Sequence, residues 1–269
     1  MTREDPFDGL KDFQKATAAY VDRMLFDEGQ TRFLVADEVG LGKTLVARGV
    51  IGRALQRFEE QGVKRIDIVY ISSNAEIGRQ NIRRLVPEGY KAFDGLDRLT
   101  LLPLHLHSLN QIGQPNFVAF TPGTLPDANR RLGWSRERAL IYALLAPAWG
   151  LRGGRGPIRL LMHPVKKEQT FQDQIKFVRS QRPDQGIAAH FVELVDADPG
   201  NLRAEFDDLA STLRHGTTLS EADSTRRLKL VARLRLLLAK ACVDALEPDL
   251  VILDEFQRFR HLLDDRDGE

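Results

Sequence analysis

The clearest chemical signal in the sequence is the pair Lys43-Thr44, which follows the turn Gly40-Leu41-Gly42. A lysine supplies a mobile positive charge for the β and γ phosphates of a nucleotide, and a threonine hydroxyl can ligate Mg²⁺. A glycine-rich turn that opens a helix also directs several backbone N–H groups at one point, where the helix dipole favours negative charge. We therefore predict a binding site for a nucleoside triphosphate and Mg²⁺.

The segments on either side of this turn have the properties that such a site requires. Residues 33–36 form a short apolar run, which predicts a buried strand, and residues 45–51 predict the start of a helix. A strand, a turn and a helix N-terminus together concentrate donors on one anion. The nucleotide-binding residues predicted here are Glu38, Val39, Gly40, Leu41, Gly42, Lys43 and Thr44.

A pair of carboxylates, Asp254-Glu255, follows a second apolar run at residues 250–253. A continuous apolar run predicts a strand buried in a parallel sheet, and such sheets place their ligands at the carboxyl ends of the strands. Asp254 is predicted to hold Mg²⁺ through water, and Glu255 to orient or deprotonate the attacking water. Alone, the pair would better fit a solvated acidic turn, because Asp-Glu after an apolar run is common. Together with the loop at Lys43, the catalytic interpretation is favoured.

Both segments resemble motifs of a known family, the superfamily 2 helicases. Residues 37–44, Asp-Glu-Val-Gly-Leu-Gly-Lys-Thr, resemble motif I of the Swi/Snf-type DNA translocases, with Asp37 where the generic loop has glycine. Residues 254–257, Asp-Glu-Phe-Gln, resemble motif II. The resemblance implies that ATP is the nucleotide and that Lys43, Asp254 and Glu255 serve its hydrolysis. It further implies that Gln257 couples the nucleotide state to nucleic-acid binding.

A weaker signal precedes the loop, where Phe13-Gln14 lies about thirty residues before Lys43. An aromatic residue followed by glutamine at this place resembles the Q-motif of the same family. A side-chain amide offers a donor and an acceptor together, which suits the edge of adenine. The resemblance implies that Phe13 and Gln14 bind the base.

Two further turns after apolar runs resemble motifs Ia and Ib, which contact nucleic acid in the family. The first follows a predicted strand at residues 66–71 and leads into a basic helix; the second follows a predicted strand at 116–120. Small hydroxyls, amides and helix N-termini suit phosphate oxygens, although both turns would also serve as plain connections. The nucleic-acid contacts that the resemblance implies are Ser72, Ser73, Asn74, Arg79, Thr121 and Gly123.

The implied fold class is α/β, a RecA-like P-loop NTPase lobe with a mostly parallel sheet. Lys43 and Asp254 lie about 210 positions apart, roughly twice what a compact lobe needs. We therefore expect a largely helical inserted subdomain at residues 125–225, between motifs Ib and II. The lobe itself would comprise residues 1–124 and 226–269, with an amphipathic helix at 225–246 leading into the second carboxylate strand.

Bulk properties exclude several classes of protein. The net charge is +1 over 269 residues, so no overall basicity indicates nucleic-acid binding. The single cysteine, Cys242, cannot form an internal disulfide and is expected in the core. The alternation of His105 and His107 indicates one face of a strand rather than a metal site.

The polar N-terminus is no secretory signal, and no apolar run reaches membrane-spanning length, so we expect a cytoplasmic protein with no membrane partner.

Superfamily 2 motors use two RecA-like lobes, and the sequence ends soon after motif II. We expect a second lobe in cis or in trans, with this chain as the N-terminal part of a longer protein. By itself, this chain is expected to hydrolyse ATP slowly. The Swi/Snf-like motif I favours translocation on duplex DNA, by analogy only. Two alternatives stay open: a nucleotide-dependent switch that binds DNA or protein without productive hydrolysis, and an RNA helicase.

Overall fold

The computed structural model describes residues 5, 7–36, 42–72, 75–87, 90, 92–93, 98–106, 115–120, 132–151, 154–214 and 218–254. Within these ranges the side chains of residues 75–77, 79, 92–93 and 120 lie outside the description. The chain is mixed α/β and mostly helical. It forms two compact units: unit 1 comprises Met1–Asp94, Leu109–Thr121 and Pro248–Glu269, and unit 2 comprises Gly95–Ser108 and Pro122–Glu247.

Unit 1 contains a parallel sheet and three α-helices among its described residues. The helices are α1 (Asp12–Asp22), which continues as a π-helical turn (Arg23–Asp27), α2 (Lys43–Glu60) and α3 (Ala75–Leu85). The strands are β1 (Asp67–Ile71), β2 (Ala92–Phe93), β3 (Asn116–Phe120) and β4 (Leu250–Leu253). The strand order is β2-β3-β1-β4, and every pairing is parallel. The three predicted strands at 66–71, 116–120 and 250–253 are confirmed. The prediction that the last of them is buried is wrong, because Val251 and Leu253 of β4 are exposed.

One face of the sheet packs against α2 and α3. Side chains of paired strands at the same register share a face, which places Ile68, Tyr70 and Ile252 together. They contact apolar side chains of α2 and α3, Leu55 and Leu85 among them. The helices of this face are thereby fixed relative to the carboxyl ends of β1 and β4.

The direction of α2 follows from the short connection to β1. The helix ends at Glu60 and β1 begins at Asp67, so the C-terminus of α2 lies near the amino end of the strand. An 18-residue helix is about 27 Å long, whereas a five-residue strand is about 16 Å long. The N-terminus of α2 therefore points toward the carboxyl edge of the sheet.

Helix α1 is held against α2 by close packing and by a two-carboxylate clamp. A Cβ on Gly49 would lie 3.0 Å from the Cβ of Ala18, so glycine permits the close approach of the two helices. The guanidinium of Arg57 donates to both oxygens of the buried Asp22 at 2.9 Å and to Asp27 at 2.7 and 2.9 Å. The start of α1 is thus placed beside the start of α2.

The predicted strand at residues 33–36 is wrong, because these residues have no regular hydrogen-bonded structure. Phe33 and Leu34 are exposed, and only Val35 packs against the apolar cluster between α1 and α2. A strand exists only through its pairing with a neighbour. Among the described strands, β4 is at the edge of the sheet and pairs with β1 alone, so residues 33–36 do not extend the sheet beside it. Their apolar composition was therefore not sufficient to predict a strand.

Asp67 ties three strands together at the amino edge of the sheet. Its Oδ1 accepts from the side-chain amide of Asn116 at 2.6 Å, and its backbone N–H donates to Asp249 at 2.8 Å. Arg65 lies 2.7 Å from Oδ2. Burial raises the pKa of Asp67, and the bonds from Asn116 and Arg65 oppose that rise. These contacts fix the position of β4 along β1, and so the position of Asp254.

Unit 2 is helical in its described part. It opens with a 3-10 helix at Leu99–Leu104, so the strand predicted around His105 and His107 is wrong at its described residues; Pro103 lies inside this helix. The α-helices are α4 (Ser135–Trp149), α5 (Arg155–Met162), α6 (Glu168–Ser180), α7 (Gln185–Asp196), α8 (Leu202–Leu213) and α9 (Glu221–Leu246).

The amphipathic helix expected at 225–246 is confirmed as α9, but its place among the units differs from the predicted boundary. The inserted subdomain was predicted to end at residue 225, whereas unit 2 continues to Glu247. The reason is the packing of α9, which contacts α4, α7, α8 and the 3-10 helix of the same unit. Cys242 is fully buried in this helix, as expected.

Candidate functional site

Helix α2 begins directly at the predicted nucleotide-binding turn. Gly42 precedes the helix with φ 82° and ψ 40°, in the left-handed region that glycine adopts at little cost. Its carbonyl accepts the first helical bonds, from the N–H groups of Leu45 at 2.8 Å and Val46 at 3.2 Å. Gly42 has no side chain that could cap the first turn, so the geometry leaves the end of α2 suited to an anion.

Lys43 and Thr44 are the first two residues of α2, and both are half-buried. Their backbone N–H groups belong to the first helical turn, where intrahelical acceptors are lacking. Because α2 runs antiparallel to β1, this turn lies toward the carboxyl edge of the sheet. The other predicted residues of the turn, Glu38, Val39, Gly40 and Leu41, lie outside the described residues.

Gln14 is buried beneath the start of α2. It is 3% exposed, and a Cβ on Gly42 would lie 2.5 Å from its Nε2. Its Oε1 accepts from the backbone N–H of Lys11 at 3.0 Å, which caps the first turn of α1. Gln14 therefore links the starts of the two helices. The structure brings it to the predicted loop, in a buried position, whereas the neighbouring Phe13 is exposed.

Asp254 follows β4 at the same edge of the sheet. Its backbone N–H donates to the carbonyl of Ile71 at 2.8 Å, so it continues the pairing of β4 with β1. Its Oδ2 accepts from the hydroxyl of Tyr70 at 2.5 Å and from the side-chain amide of Asn81 at 3.2 Å. Asn81 also donates to the hydroxyl of Tyr70 at 3.0 Å, which closes a three-membered network.

This network leaves the second carboxylate oxygen of Asp254 with acceptor capacity. A carboxylate has about four lone-pair positions, and both described bonds are to Oδ2. Oδ1 accepts from no side chain among the residues that the structure describes. A water molecule on Mg²⁺ fits that oxygen, so the arrangement is compatible with the predicted metal role of Asp254 and Thr44.

The phenol of Tyr70 is kept protonated by its surroundings. Burial raises its pKa, and the hydrogen bond to the Asp254 carboxylate raises it further, against smaller opposite effects of Asn81 and Ser72. A neutral phenol is a donor, so Tyr70 holds the carboxylate of Asp254 in one orientation at neutral pH. The network positions the carboxylate before any ligand arrives.

The residues predicted to contact nucleic acid are only partly described. Ser72 is 1% exposed and bonds to Tyr70, so its hydroxyl is directed into the protein, which argues against a direct phosphate contact. Arg79 lies on α3, with its side chain outside the description. Outside the described residues lie Ser73, Asn74, Thr121 and Gly123, and also the predicted catalytic residues Glu255 and Gln257.

Sequence reasoning missed the two side chains that hold Asp254. Tyr70 is the one polar side chain in β1 after its first residue, Asp67, and Asn81 lies on the buried side of α3 among basic residues. A polar residue inside a predicted buried strand needs a partner, and this signal could have identified Tyr70. Asn81 carried no comparable signal, because only the packing of α3 brings it to β4.

No group of three or more His, Cys, Asp or Glu side chains that could hold a metal ion occurs in the described part of the chain. No described helix is both long enough and apolar enough to cross a membrane. Comparisons with protein-family models, with curated proteins and with solved structures found no significant match.

Proposed function

We propose that this chain is the ATP-binding motor lobe of an ATP-dependent DNA helicase or translocase, with a RecA-like core in unit 1. The arrangement that carries the proposal is the start of α2 and the end of β4 directed toward the same edge of a parallel sheet. Gly42, Lys43 and Thr44 open the helix, and Asp254 ends the strand. Open α/β sheets bind ligands at this edge.

In this proposal the chain's own residues divide the work of phosphoryl transfer. The first turn of α2 and the Lys43 ammonium bind the phosphates, and Thr44 and Asp254 would hold Mg²⁺, which neutralises charge on the phosphates when bound. Glu255 would orient the attacking water. Catalysis of this kind is mainly positioning and charge stabilisation, which suits a carboxylate fixed in advance by Tyr70 and Asn81.

The network around Asp254 also supports coupling between nucleotide and nucleic acid. Asn81 lies on α3, the helix that follows the turn resembling motif Ia. A change in the hydrogen bonding of Asp254 is therefore transmitted by one side chain, that of Asn81, to the element proposed to contact DNA. Closure against a second lobe, in cis or in trans, would complete the site and move duplex DNA by a step.

Hydrolysis measurements on the protein as it occurs in its source test the proposal. We expect ATP turnover that increases with duplex DNA and is abolished by Glu255→Gln, while ATP binding persists. Stimulation by RNA alone would contradict the DNA assignment and favour an RNA helicase. Unchanged turnover in Glu255→Gln would mean that another residue activates water.

A nucleotide-dependent switch is the second candidate, and the hydrogen-bonded state of Asp254 favours it. Oδ2 already accepts two bonds, so ATP with Mg²⁺ could act by rearranging this network rather than by hydrolysis. A switch would bind DNA or a partner protein only with ATP and would show no turnover under any condition. DNA-stimulated turnover would exclude it.

A further inference from the structure

Two exposed aromatic rings of unit 2 each lie against an arginine side chain. Trp134, directly before α4, and Phe177, in the last turn of α6, are each 46% exposed. The Cζ atom of Arg98 lies 4.6 Å from the centre of the Trp134 ring. The Cζ atom of Arg136 lies 5.1 Å from the centre of the Phe177 ring. Exposed aromatic rings with adjacent guanidinium groups are a combination that is enriched at binding surfaces.

The two rings belong to one surface, because three segments of unit 2 meet there. Arg136 follows Trp134 by two residues and contacts Phe177, so the start of α4 lies beside the end of α6. The backbone N–H of Asp184, which follows α6, donates to the carbonyl of Pro103 in the 3-10 helix at 2.8 Å. That helix is thereby joined to the same end of α6. The surface formed by Trp134, Arg136 and Phe177 is called the aromatic face below.

The backbone at Trp134 is held in place by a buried polar network. Its N–H donates to the carboxylate of Glu137, which is 1% exposed. Glu137 in turn accepts from Thr100 at 2.6 Å and pairs with Arg235 at 3.3 Å. Nη1 of Arg138 donates to the carbonyls of the two residues before Trp134, at 2.9 and 2.8 Å. A ring on a backbone fixed in this way is preorganised, since little freedom is lost when a ligand stacks on it.

The exposed charges beside the two rings are mainly positive. Arg136 is exposed, whereas the neighbouring Glu137 is buried in its ion pairs with Arg98 and Arg235. Residues 173–182, around Phe177, contain three basic side chains and one carboxylate, all exposed: Lys176, Arg179, Arg182 and Asp173. Asp173 lies 3.6 Å from Lys176, which leaves the charge of the two arginines in excess. The aromatic face therefore suits a ligand that has flat rings and negative charge.

We propose that the aromatic face of unit 2 binds single-stranded nucleic acid. Unpaired bases stack on exposed aromatic rings, whereas the bases of a duplex are already stacked on one another. The guanidinium groups beside the rings attract the phosphates of the strand. Trp134 and Phe177 would each stack on a base, and Arg136 between them would contact the backbone. This inference goes beyond the proposed function and does not rest on the nucleotide site of unit 1.

The positions of the two tryptophans make fluorescence a specific test of this surface. The chain contains only Trp134 and Trp149, both in unit 2, and Trp149 is 7% exposed. We expect a DNA single strand of about 12 nucleotides to quench the tryptophan emission, because a base stacks on the indole of Trp134. Trp134→Phe should remove the quenching and keep most of the binding. A duplex of the same sequence should quench little.

The anisotropy of a labelled single strand measures what each ring contributes to binding. We expect Trp134→Ala and Phe177→Ala each to weaken binding about tenfold, because each removes one stacking surface. Leu236→Ala is the matched control, since it removes a similarly exposed apolar side chain from α9 of the same unit. It should bind as the wild type does. Equal unfolding temperatures show that the variants are folded.

The charge of the aromatic face has its own pair of variants. Arg136→Gln should weaken binding and reduce its dependence on salt, because one phosphate contact is lost. Arg203→Gln is the control, since Arg203 is an exposed arginine of the same unit that lies 5.8 Å from the ring centre of the buried Trp149. It should leave both the affinity and the salt dependence unchanged.

Three results would overturn the proposal. The first is unquenched emission at saturating concentrations of single-stranded DNA and of single-stranded RNA. The second is equal affinity of the wild type, Trp134→Ala and Phe177→Ala for the strand. The third is equal quenching by the duplex, because stacking on the indole requires an unpaired base. The measurements are made without nucleotide, so none of these results bears on the ATP site.

DNA and RNA strands of the same sequence identify the source of the bases. Tighter binding of one of them identifies the preferred strand, because the 2′-hydroxyl is the group that distinguishes the two. Equal binding shows that the face recognises bases and phosphates without the sugar. Each of these results, together with quenching of Trp134, supports the aromatic face as a single-strand site.

Discussion

The side-chain amide of Gln14 lies directly against Gly42, at the point where α2 begins. A Cβ on Gly42 would be 2.5 Å from Nε2 of Gln14, and the same amide caps α1 through the N–H of Lys11. The start of the predicted phosphate-binding helix is thus built on a residue of α1. Any side chain at position 42 requires the amide of Gln14 to shift, and we expect this shift to weaken the cap.

Gly42→Ala tests this relationship, with Gly62→Ala as the matched control. Both glycines have a positive φ at an end of α2, but a Cβ on Gly62 would meet nothing within 4 Å. The left-handed backbone should cost about 1–2 kcal/mol in each variant. We expect Gly42→Ala to cost about 1 kcal/mol more, through the weakened cap, in urea unfolding.

A double-mutant cycle isolates the contribution of Gln14. In a Gln14→Ala background the excess cost of Gly42→Ala over Gly62→Ala should disappear, because no amide remains to be displaced. If the excess persists in that background, the contact between Gln14 and Gly42 does not determine the cost.

Replacing Tyr70 should change the response of stability to alkaline pH. Its pKa is raised in the folded state, chiefly by burial, so its contribution is complete below the unfolded pKa of 10.0 and decreases as pH rises above it. We expect wild-type stability to fall more steeply between pH 9.5 and 11 than that of Tyr70→Phe, as measured by urea unfolding. Tyr20→Phe, which removes an exposed hydroxyl, should follow the wild type. Parallel curves for wild type and Tyr70→Phe would contradict the network around Asp254.

The carboxylate clamp between α1 and α2 predicts unequal effects of two similar substitutions. The side chain of Asp22 is 3% exposed and receives three charged hydrogen bonds, two from Arg57 and one from Arg53, whereas that of Asp27 is 50% exposed. Asp22→Asn should destabilise the protein by about 2 kcal/mol in urea unfolding. Asp27→Asn should cause only a small change, because solvent screens its ion pair. Equal effects would show that burial does not distinguish the two carboxylates.

His190 should contribute stability to unit 2 mainly at acidic pH. The hydrogen bond to Asp244 at 2.9 Å raises its pKa, and Glu193 adds a smaller effect. A raised folded pKa gives stability that is complete below the unfolded pKa of 6.5 and is lost as pH rises through the folded value. The difference in unfolding midpoint between wild type and His190→Gln should therefore be largest below pH 6 and decrease above pH 7. A difference independent of pH would exclude the titration of His190 as its cause.

The parts of the fold that the sequence predicted are those with strong local signals. The strands predicted at 66–71, 116–120 and 250–253 are present, and a helix does begin at Lys43, directly after Gly42. The run at 33–36 has the same composition, but the structure shows no partner strand for it among the described residues. Composition measures the tendency to form a strand, whereas pairing is a property of the whole sheet.

The residues of the candidate site that belong to short sequence motifs were predictable. The contacts between residues far apart in the sequence were not. Gly42, Lys43, Thr44 and Asp254 were identified because their spacing along the chain carries the chemistry. The bond from Asn81 to Asp254 joins residues 173 positions apart, and only the packing of α3 on the sheet creates it. The extent of unit 2 was misjudged for the same reason, since the contacts of α9 decide where it belongs.

Calorimetric titration with ATP in the presence of Mg²⁺ tests the nucleotide site most directly. Lys43→Ala removes the charge at the first turn of α2, and Lys64→Ala removes an exposed lysine beyond the other end of the same helix. The proposal predicts that wild type and Lys64→Ala bind ATP equally and that Lys43→Ala binds at least about tenfold more weakly. Equal affinity in Lys43→Ala and wild type, or no binding by wild type, would contradict it.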